Sequence, residues 1–439
     1  MALRKESSKT FEVVGTAHAP GNTRLVDALV FVVLGALALA GLVPLGYRLA
    51  SGLGVTNLGS VVPWGVWVSF YIFFIGLSAG SFLLSTLIFV FGNKKLEPVG
   101  RLAVIQAFFC LLTGLIFVWI DLGQWQRFWE VMVYPQWHSV LAWEIWFYNA
   151  YIVLLLAEMW FLLRCDLSRW AIEAEGVARA FYRTLSLGHR CASDTGRHVC
   201  APRTANWLMV LGMIGIPIAL GVHGGTGAIF AVAKARAGWN SPIFPLVFIV
   251  SALASGGALL LSLRAFVVRG DGNLDLLRSL ARITGAILIF DLLLLGLEFL
   301  VALYSAVPDH QQVYDLMATG PYWEVFWIQE LLVGALVPLL LIFVRTDHAG
   351  ALRLGLAGLL IVIGIFGVRL NIVIPALAVT ELPGFAHAFD STRLSDVYHP
   401  NWVEWLSGMG IVAFMALVGY AAIRLLPMHE DQPYGRPGR

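Results

Sequence analysis

The 439-residue chain is 59% hydrophobic and only 13% charged, with a mean hydropathy of +0.79. A soluble domain carries about 25% charged residues, so a soluble globular protein is excluded and a polytopic membrane protein is expected. The formal net charge of +2 says nothing about nucleic acid; the placement of Lys and Arg carries the information.

Hydropathy predicts ten spans, at about 26–46, 63–91, 101–121, 139–164, 205–232, 240–267, 280–305, 322–344, 351–379 and 401–426. Each is long enough to cross a core of about 30 Å. The expected fold class is therefore an all-α polytopic membrane protein. An N-terminal tail (1–25) precedes the first helix and its outer loop (26–62). A first four-helix bundle (63–232, with loop 165–204) and a second (240–379) follow. A last loop, helix and tail take residues 380–439. Ala38-Leu39-Ala40 imitates a signal-peptidase site, but the run is read as an uncleaved first span.

The chain is organised around PWGVWVSFYIFFIGLSAGSFLLSTLIFVFG, residues 63–92. It has an aromatic collar in Trp64 and Trp67, one polar ring in Tyr71 and no formal charge. Gly76 and Gly80 form a G-x-x-x-G, which lets another helix approach closely in lipid. Much of the stretch is echoed later. FIGLSAGSFLLS at 74–85 is similar to FIVSALASGGALLLS at 248–262, and Trp143-Glu144-Ile145-Trp146 to Trp323-Glu324-Val325-Phe326. Matched spans run the same way, so two parallel four-helix units, spans 2–5 and 6–9, are expected.

Of the 29 Lys and Arg, 23 fall on one side of this layout and five on the other, with Arg369 inside a span. The positive-inside rule then makes both termini cytoplasmic. The basic amphipathic segment RWAIEAEGVARAFYRTL is expected to lie as a helix on anionic lipid at the cytoplasmic face.

Cysteine is scarce: Cys110, Cys165, Cys191 and Cys200, with no C-x-x-C. An iron–sulfur cluster of the usual spacing is not expected on this chain. HRCASDTGRHVC brings His189 and His198 near Cys191 and Cys200, but the spacing fits no usual zinc pattern, and a polar loop is expected. A haem needs axial ligands at matched depth, and His223 alone lies well inside a span.

Ionisable residues inside spans default to functional candidates. Here they are Asp121, Glu144, Glu158, His223, Asp291, Glu298, Glu324, Glu330, Arg369 and Glu404. Most sit in the outer half. The densest local group is Asp121, Gln124, Trp125, Arg127 and Trp129, then Trp137, His138, Ser139, Trp143 and Glu144. It joins spans three and four, and a pocket is expected there. His223, in Val-His-Gly-Gly-Thr-Gly, has space beside it for a ligand or a backbone.

Several of these segments resemble the NrfD family, the polysulfide-reductase-type membrane subunits. They are PWG…Y…GLSAGSFLLS, D-L-G-x-x-x-R-F, S-x-L-A-W-E-x-W, HGGTGAIFAV, WNSPIFPLVFIVSALASG, R-L-N in span nine and Y-H-P-x-W-x-E before span ten. The likeness covers about 60–427, and the ten-span layout is similar to the hydrogenase and sulfur-metabolism branches. Gln124-Trp125 stands where Arg-Pro is common, and HGG where one branch has HQS. The resemblance implies a quinone-reactive subunit without its own haem, iron–sulfur cluster or metal, non-catalytic alone, in a bacterial inner membrane. It implies a docked four-cluster ferredoxin-like subunit and a catalytic redox subunit on the outer side, a molybdopterin enzyme or a nickel–iron hydrogenase. Menaquinone or ubiquinone would be the substrate.

On that expectation Tyr71, Gln124 or His138 donates to quinone carbonyls. Trp67, Trp143 and Trp146 wall the ring, and Asp121 and Glu144 exchange protons. Glu158, Asp291, Glu298, Arg369 and Glu404 carry protons onward. Two other classes fit parts of the pattern: a secondary transporter and a passive membrane anchor for a redox enzyme.

Overall fold

The computed structural model describes residues 22–189, 200–268, 274–305, 307–344, 349–379, 382, 384 and 391–426. Among them every regular element is helical: α1 (Asn22–Ser51), α2 (Val66–Phe89), α3 (Gly100–Asp121), α4 (Glu130–Val133), α5 (Val140–Glu173), α6 (Gly176–Leu185), α7 (Cys200–Ala231), α8 (Phe244–Phe266), α9 (Leu274–Tyr304), α10 (Pro308–Ala318), α11 (Glu324–Phe343), α12 (Ala351–Ala378) and α13 (Trp402–Leu425). All but α4, α6 and α10 are long and apolar enough to span a membrane, ten in all.

Three elements differ from the sequence expectation. The basic segment near 169–185 is two helices rather than one: α5 runs on to Glu173, and the chain turns at Gly176, whose φ of +59° suits a residue without Cβ. The stretch expected as a loop before span eight contains α10, opened by Pro308 in its first turn. The first thirteen residues of α11, Glu324–Leu336, coil as a π-helix, with consequences for which acid faces inward.

The helices α2, α3, α5 and α7 pack around one another; α8, α9, α11 and α12 form a second group; α1 pairs with α13 against α3. The two groups meet where α2 and α7 contact α8 and where α2 contacts α12. Of the most apolar window of α2, 83% is buried, against 11% for α1. The uncharged, small-residue helix is the one surrounded by others, and α1 lies at the rim.

Close approach explains the small residues. A Cβ on Gly80 would sit 1.8 Å from the Ala252 carbonyl oxygen, and one on Gly256 would sit 2.4 Å from the Ser81 nitrogen. The α2–α8 crossing is therefore backbone against backbone. The other glycine of the motif, Gly76, leaves room for side chains instead: its Cβ would meet the His223 ring at 3.1 Å and the Arg369 guanidinium at 3.6 Å.

One end of the assembly, called here the Asp121 face, gathers the end of α3, the starts of α5, α11 and α13, and the short helices α4 and α10. The opposite face carries α6 and the Arg101–Asp166 ion pair (2.7 Å).

Candidate functional site

At the Asp121 face two buried polar clusters form within the first helix group and its flank. The first is built by α1, α2, α3 and α13. Arg48, near the end of α1, is fully buried, and its Nη2 donates to the Leu122 carbonyl at 2.7 Å. Its guanidinium faces the Asp121 carboxylate and lies 5.9 Å from the centroid of the Trp67 ring. Arg48 Nε and Nη1 and Asp121 Oδ1 are buried without a protein hydrogen-bond partner.

Trp67 is 1% exposed, and its indole donates to the Glu404 carbonyl at 3.0 Å. The Glu404 carboxylate accepts from the backbone of Asn57 and of Asn401, each at 3.0 Å, and from the Tyr398 hydroxyl. With Asn401 it closes a capping box on α13. Burial, and then Glu404, pushes the Tyr398 phenol well above its ordinary range. Glu404 therefore ties the α1–α2 loop to the start of α13.

The second cluster is built by α2, α5 and α7. Glu144 is 1% exposed. Its Oε1 accepts from the Tyr148 hydroxyl at 2.6 Å and from the Thr226 hydroxyl. Tyr71 and Tyr148 share a hydrogen bond of 2.6 Å. Glu144 Oε2 is buried with no partner. One face of α5 continues this line at the spacing that repeats every two turns. Tyr151 donates to the Ser78 carbonyl at 3.2 Å, and Glu158 is fully buried with both carboxylate oxygens unpartnered.

A third cluster crosses the second helix group. Arg369 Nη2 donates to Ser251 Oγ at 2.9 Å, and Asp291 faces both Ser251 and the Arg369 charge. The guanidinium carbon lies 4.7 Å from the centroid of the Phe248 ring, beside which the buried His223 ring packs at 5.4 Å. Asn371 donates to Glu330 Oε2 at 2.7 Å. Glu298 is partly buried, with Oε1 unpartnered.

The structure thus separates residues that the sequence grouped. Trp67 joins the Asp121 cluster and Tyr71 the Glu144 cluster. Trp143 and Trp146 are 51% and 44% exposed, turned away from Glu144 and packed on Trp137. His138 and Gln124 are exposed in the loop between α3 and α5. That loop also exposes Phe128, Trp129, Met132, Val133, Tyr134 and Trp137. Glu324, the echo of Glu144, is exposed, and Glu330 is the buried acid of α11. Arg48, Tyr148, Thr226, Ser251 and Tyr398 escaped the sequence reading. A sequence signal existed for Tyr148, four residues after Glu144 on one helix face.

Among the described residues no group of three or more His, Cys, Asp or Glu side chains is arranged to hold a metal ion. The expectation for Cys191, His198 and Cys200 falls outside the described side chains.

The sequence model of the family described as "Polysulphide reductase, NrfD" matches residues 54–381. A selenate reductase protein of the same kind, from Mesobacillus selenatarsenatis, is 40% identical, over 93% of this chain and 96% of that protein. The Hdr-like menaquinol oxidoreductase integral membrane subunit of Archaeoglobus fulgidus is 27% identical, over 90% and 93%. The integral membrane subunit of menaquinone reductase from Nitratidesulfovibrio vulgaris is 26% identical, over 88% of each chain. With ten apolar helices carrying the family's matched region through most of its length, this chain is a multi-pass membrane protein that belongs to the NrfD polysulphide reductase family.

Proposed function

We propose that the chain is the quinone-reactive membrane subunit of a respiratory oxidoreductase complex. It passes electrons between the quinone pool and an iron–sulfur subunit docked on the Asp121 face. The observation that carries this reading is the set of unpartnered buried polar atoms there: Arg48 Nε and Nη1, Asp121 Oδ1 and Glu144 Oε2. Buried polar groups are normally hydrogen-bonded. A quinone carbonyl takes a donor and a quinol hydroxyl takes an acceptor, and this face supplies both.

In the oxidising direction a quinol gives up two electrons and two protons. Asp121 and Glu144 are the groups placed to accept those protons. Tyr148 and Thr226 fix the Glu144 carboxyl, and Arg48 steadies charge beside Asp121. Tyr71 donates through Tyr148. The face of α5 from Glu144 through Tyr148 and Tyr151 to Glu158 offers a proton route toward the opposite side. Reduction of a quinone runs the same steps backward. Glu404 serves by holding the α13 junction rather than by moving protons.

The exposed aromatic loop between α3 and α5 gives a partner its seat. At the second helix group α10 covers the same face, whereas over the first group no comparable helix does so among the described residues. Large exposed aromatic side chains in one patch mark an interaction site. The partner is a four-cluster ferredoxin-like protein carrying a catalytic subunit. The charge bias of the loops puts this face outside and both termini in the cytoplasm of a bacterial inner membrane. Two relatives named for menaquinol or menaquinone favour menaquinone over ubiquinone, and the relative named for selenate reductase favours a terminal reductase over a hydrogenase as the catalytic partner.

The test is gentle extraction from native membranes followed by mass spectrometry of what co-purifies. A stoichiometric multi-cluster iron–sulfur protein with a large redox subunit supports the proposal and identifies the substrate. A chain that purifies alone, with no redox partner, overturns it in favour of a transporter.

A further inference from the structure

The second helix group holds a feature that the quinone chemistry does not use. Near the Asp121 face a cavity of about 40 Å³ lies between α9, α11 and α12, roofed by α10. Glu298, Tyr314, Glu330 and Asn371 line it on the polar side, and Trp239 and Phe244 on the apolar side. A water needs roughly 10–15 Å³ of such space, so the cavity has room for about three waters. It is too small for a quinone ring or another organic ligand.

The acids around it are not balanced. Glu330 is 3% exposed, with Oε1 unpartnered and Oε2 taken by Asn371. Glu298 Oε1 is likewise buried and unpartnered. Asp291, seven residues before Glu298, shares its face of α9 and lies within electrostatic reach of both. From α12 comes one cation, Arg369, already held by Ser251 of α8, with His223 of α7 packed beside it. From α10 comes the Tyr314 phenol, raised by its burial and then by Glu298 and Glu330. Three carboxyls thus share one guanidinium in a low-dielectric interior, and unmatched buried charge is costly. The remaining two negative charges need positive charge from elsewhere.

We propose that this cavity is a proton-storing site, in which Glu298 and Glu330 take up and release protons through the enclosed waters toward the Asp121 face. No metal-type grouping of three acidic or imidazole side chains surrounds it among the described residues, which disfavours a divalent cation. The size admits hydrated protons, or a sodium ion in their place. The α10 roof separates the waters from bulk solvent, and Tyr314 stands at that boundary. Binding here is independent of whether quinone reacts in the first helix group.

The test is infrared difference spectroscopy of the intact complex between about pH 5 and pH 9, with hydrogen–deuterium exchange and no quinone turnover. The expected result is a protonated-carboxyl carbonyl band that shifts in deuterium oxide and titrates in this range. Glu330→Gln removes one component, and Glu298→Gln removes another. Replacing choline chloride by sodium chloride at constant pH leaves the bands unchanged. Glu330→Gln keeps an oxygen for Asn371, and a thermal melt within a few degrees of the parent shows that it folds. The proposal is overturned if neither variant removes a band, or if sodium at constant pH removes the bands and so occupies the site itself. Either result leaves the quinone proposal untouched.

Discussion

Replacing Gly80 by Ala isolates the contact on which the two helix groups depend. The new Cβ would lie 1.8 Å from the Ala252 carbonyl oxygen, about 1.2 Å short of the 3.0 Å that real Cβ contacts respect. The obstacle is backbone, which has no rotamer to change. Relief therefore means moving α2 away from α8 along a seam where both helices are largely buried. Alanine recovers about 1 kcal/mol of helix propensity. Overpacking of a tight core costs about 1–3 kcal/mol, and backbone collision puts this site at the upper end or beyond. The net expectation is a loss of about 2 kcal/mol, against a gain for Gly35→Ala, where nothing lies within 4 Å. Thermal or denaturant unfolding of the two variants in the same mild detergent measures the difference. Equal stability of Gly80→Ala and Gly35→Ala would refute the backbone-to-backbone crossing.

Four further outcomes follow from the same geometry. Glu404→Ala removes the acceptor of two backbone amides and of Tyr398, and leaves those donors buried; detergent melts should show a loss of about 3 kcal/mol. The Tyr398 phenol is raised in the folded protein by burial and by Glu404, so the neutral ring stabilises the fold fully below its unfolded value of about 10. Above that pH the unfolded chain loses the proton first, and stability falls by about 1.4 kcal/mol per pH unit. Alkaline melts should show a shallower decline for Tyr398→Phe than for the parent. Gly76→Ala crowds His223 and Arg369 by only a few tenths of an ångström, so it should shift their surroundings with little loss of fold, visible as a changed His223 resonance. Trp129→Ala and Trp137→Ala, both exposed, should weaken retention of the iron–sulfur partner in pull-downs while leaving the melt of the isolated chain unchanged.

The ten spans were legible because length and hydropathy alone decide whether a helix can cross a bilayer. Side-chain direction was less well read. Adjacent residues on a helix point about 100° apart, so a buried Glu144 cannot share its face with Trp143 or Trp146. Both turn outward. The Trp-Glu echo misled for a different reason. The π-helical opening of α11 changes the residues per turn, and the inward acid becomes Glu330 instead of Glu324. Arg48 was counted as a loop charge that only marked orientation. Its burial arises from α1 packing on α13 and from the Leu122 carbonyl, a partner 74 residues away that local pattern does not expose. Glu404 was readable as a cap, since Asn401 precedes it at the right spacing, yet its depth near a span end drew attention to proton transfer.

The most direct measurement compares quinol-driven turnover of the complete complex carrying Glu144→Gln with turnover driven by an artificial donor that feeds the catalytic subunit. The expected result is a loss of about 10²-fold or more with quinol, and an unchanged rate with the artificial donor. Equal rates with both donors, in variant and parent alike, would contradict a proton-accepting role for Glu144 and with it the proposed quinone site.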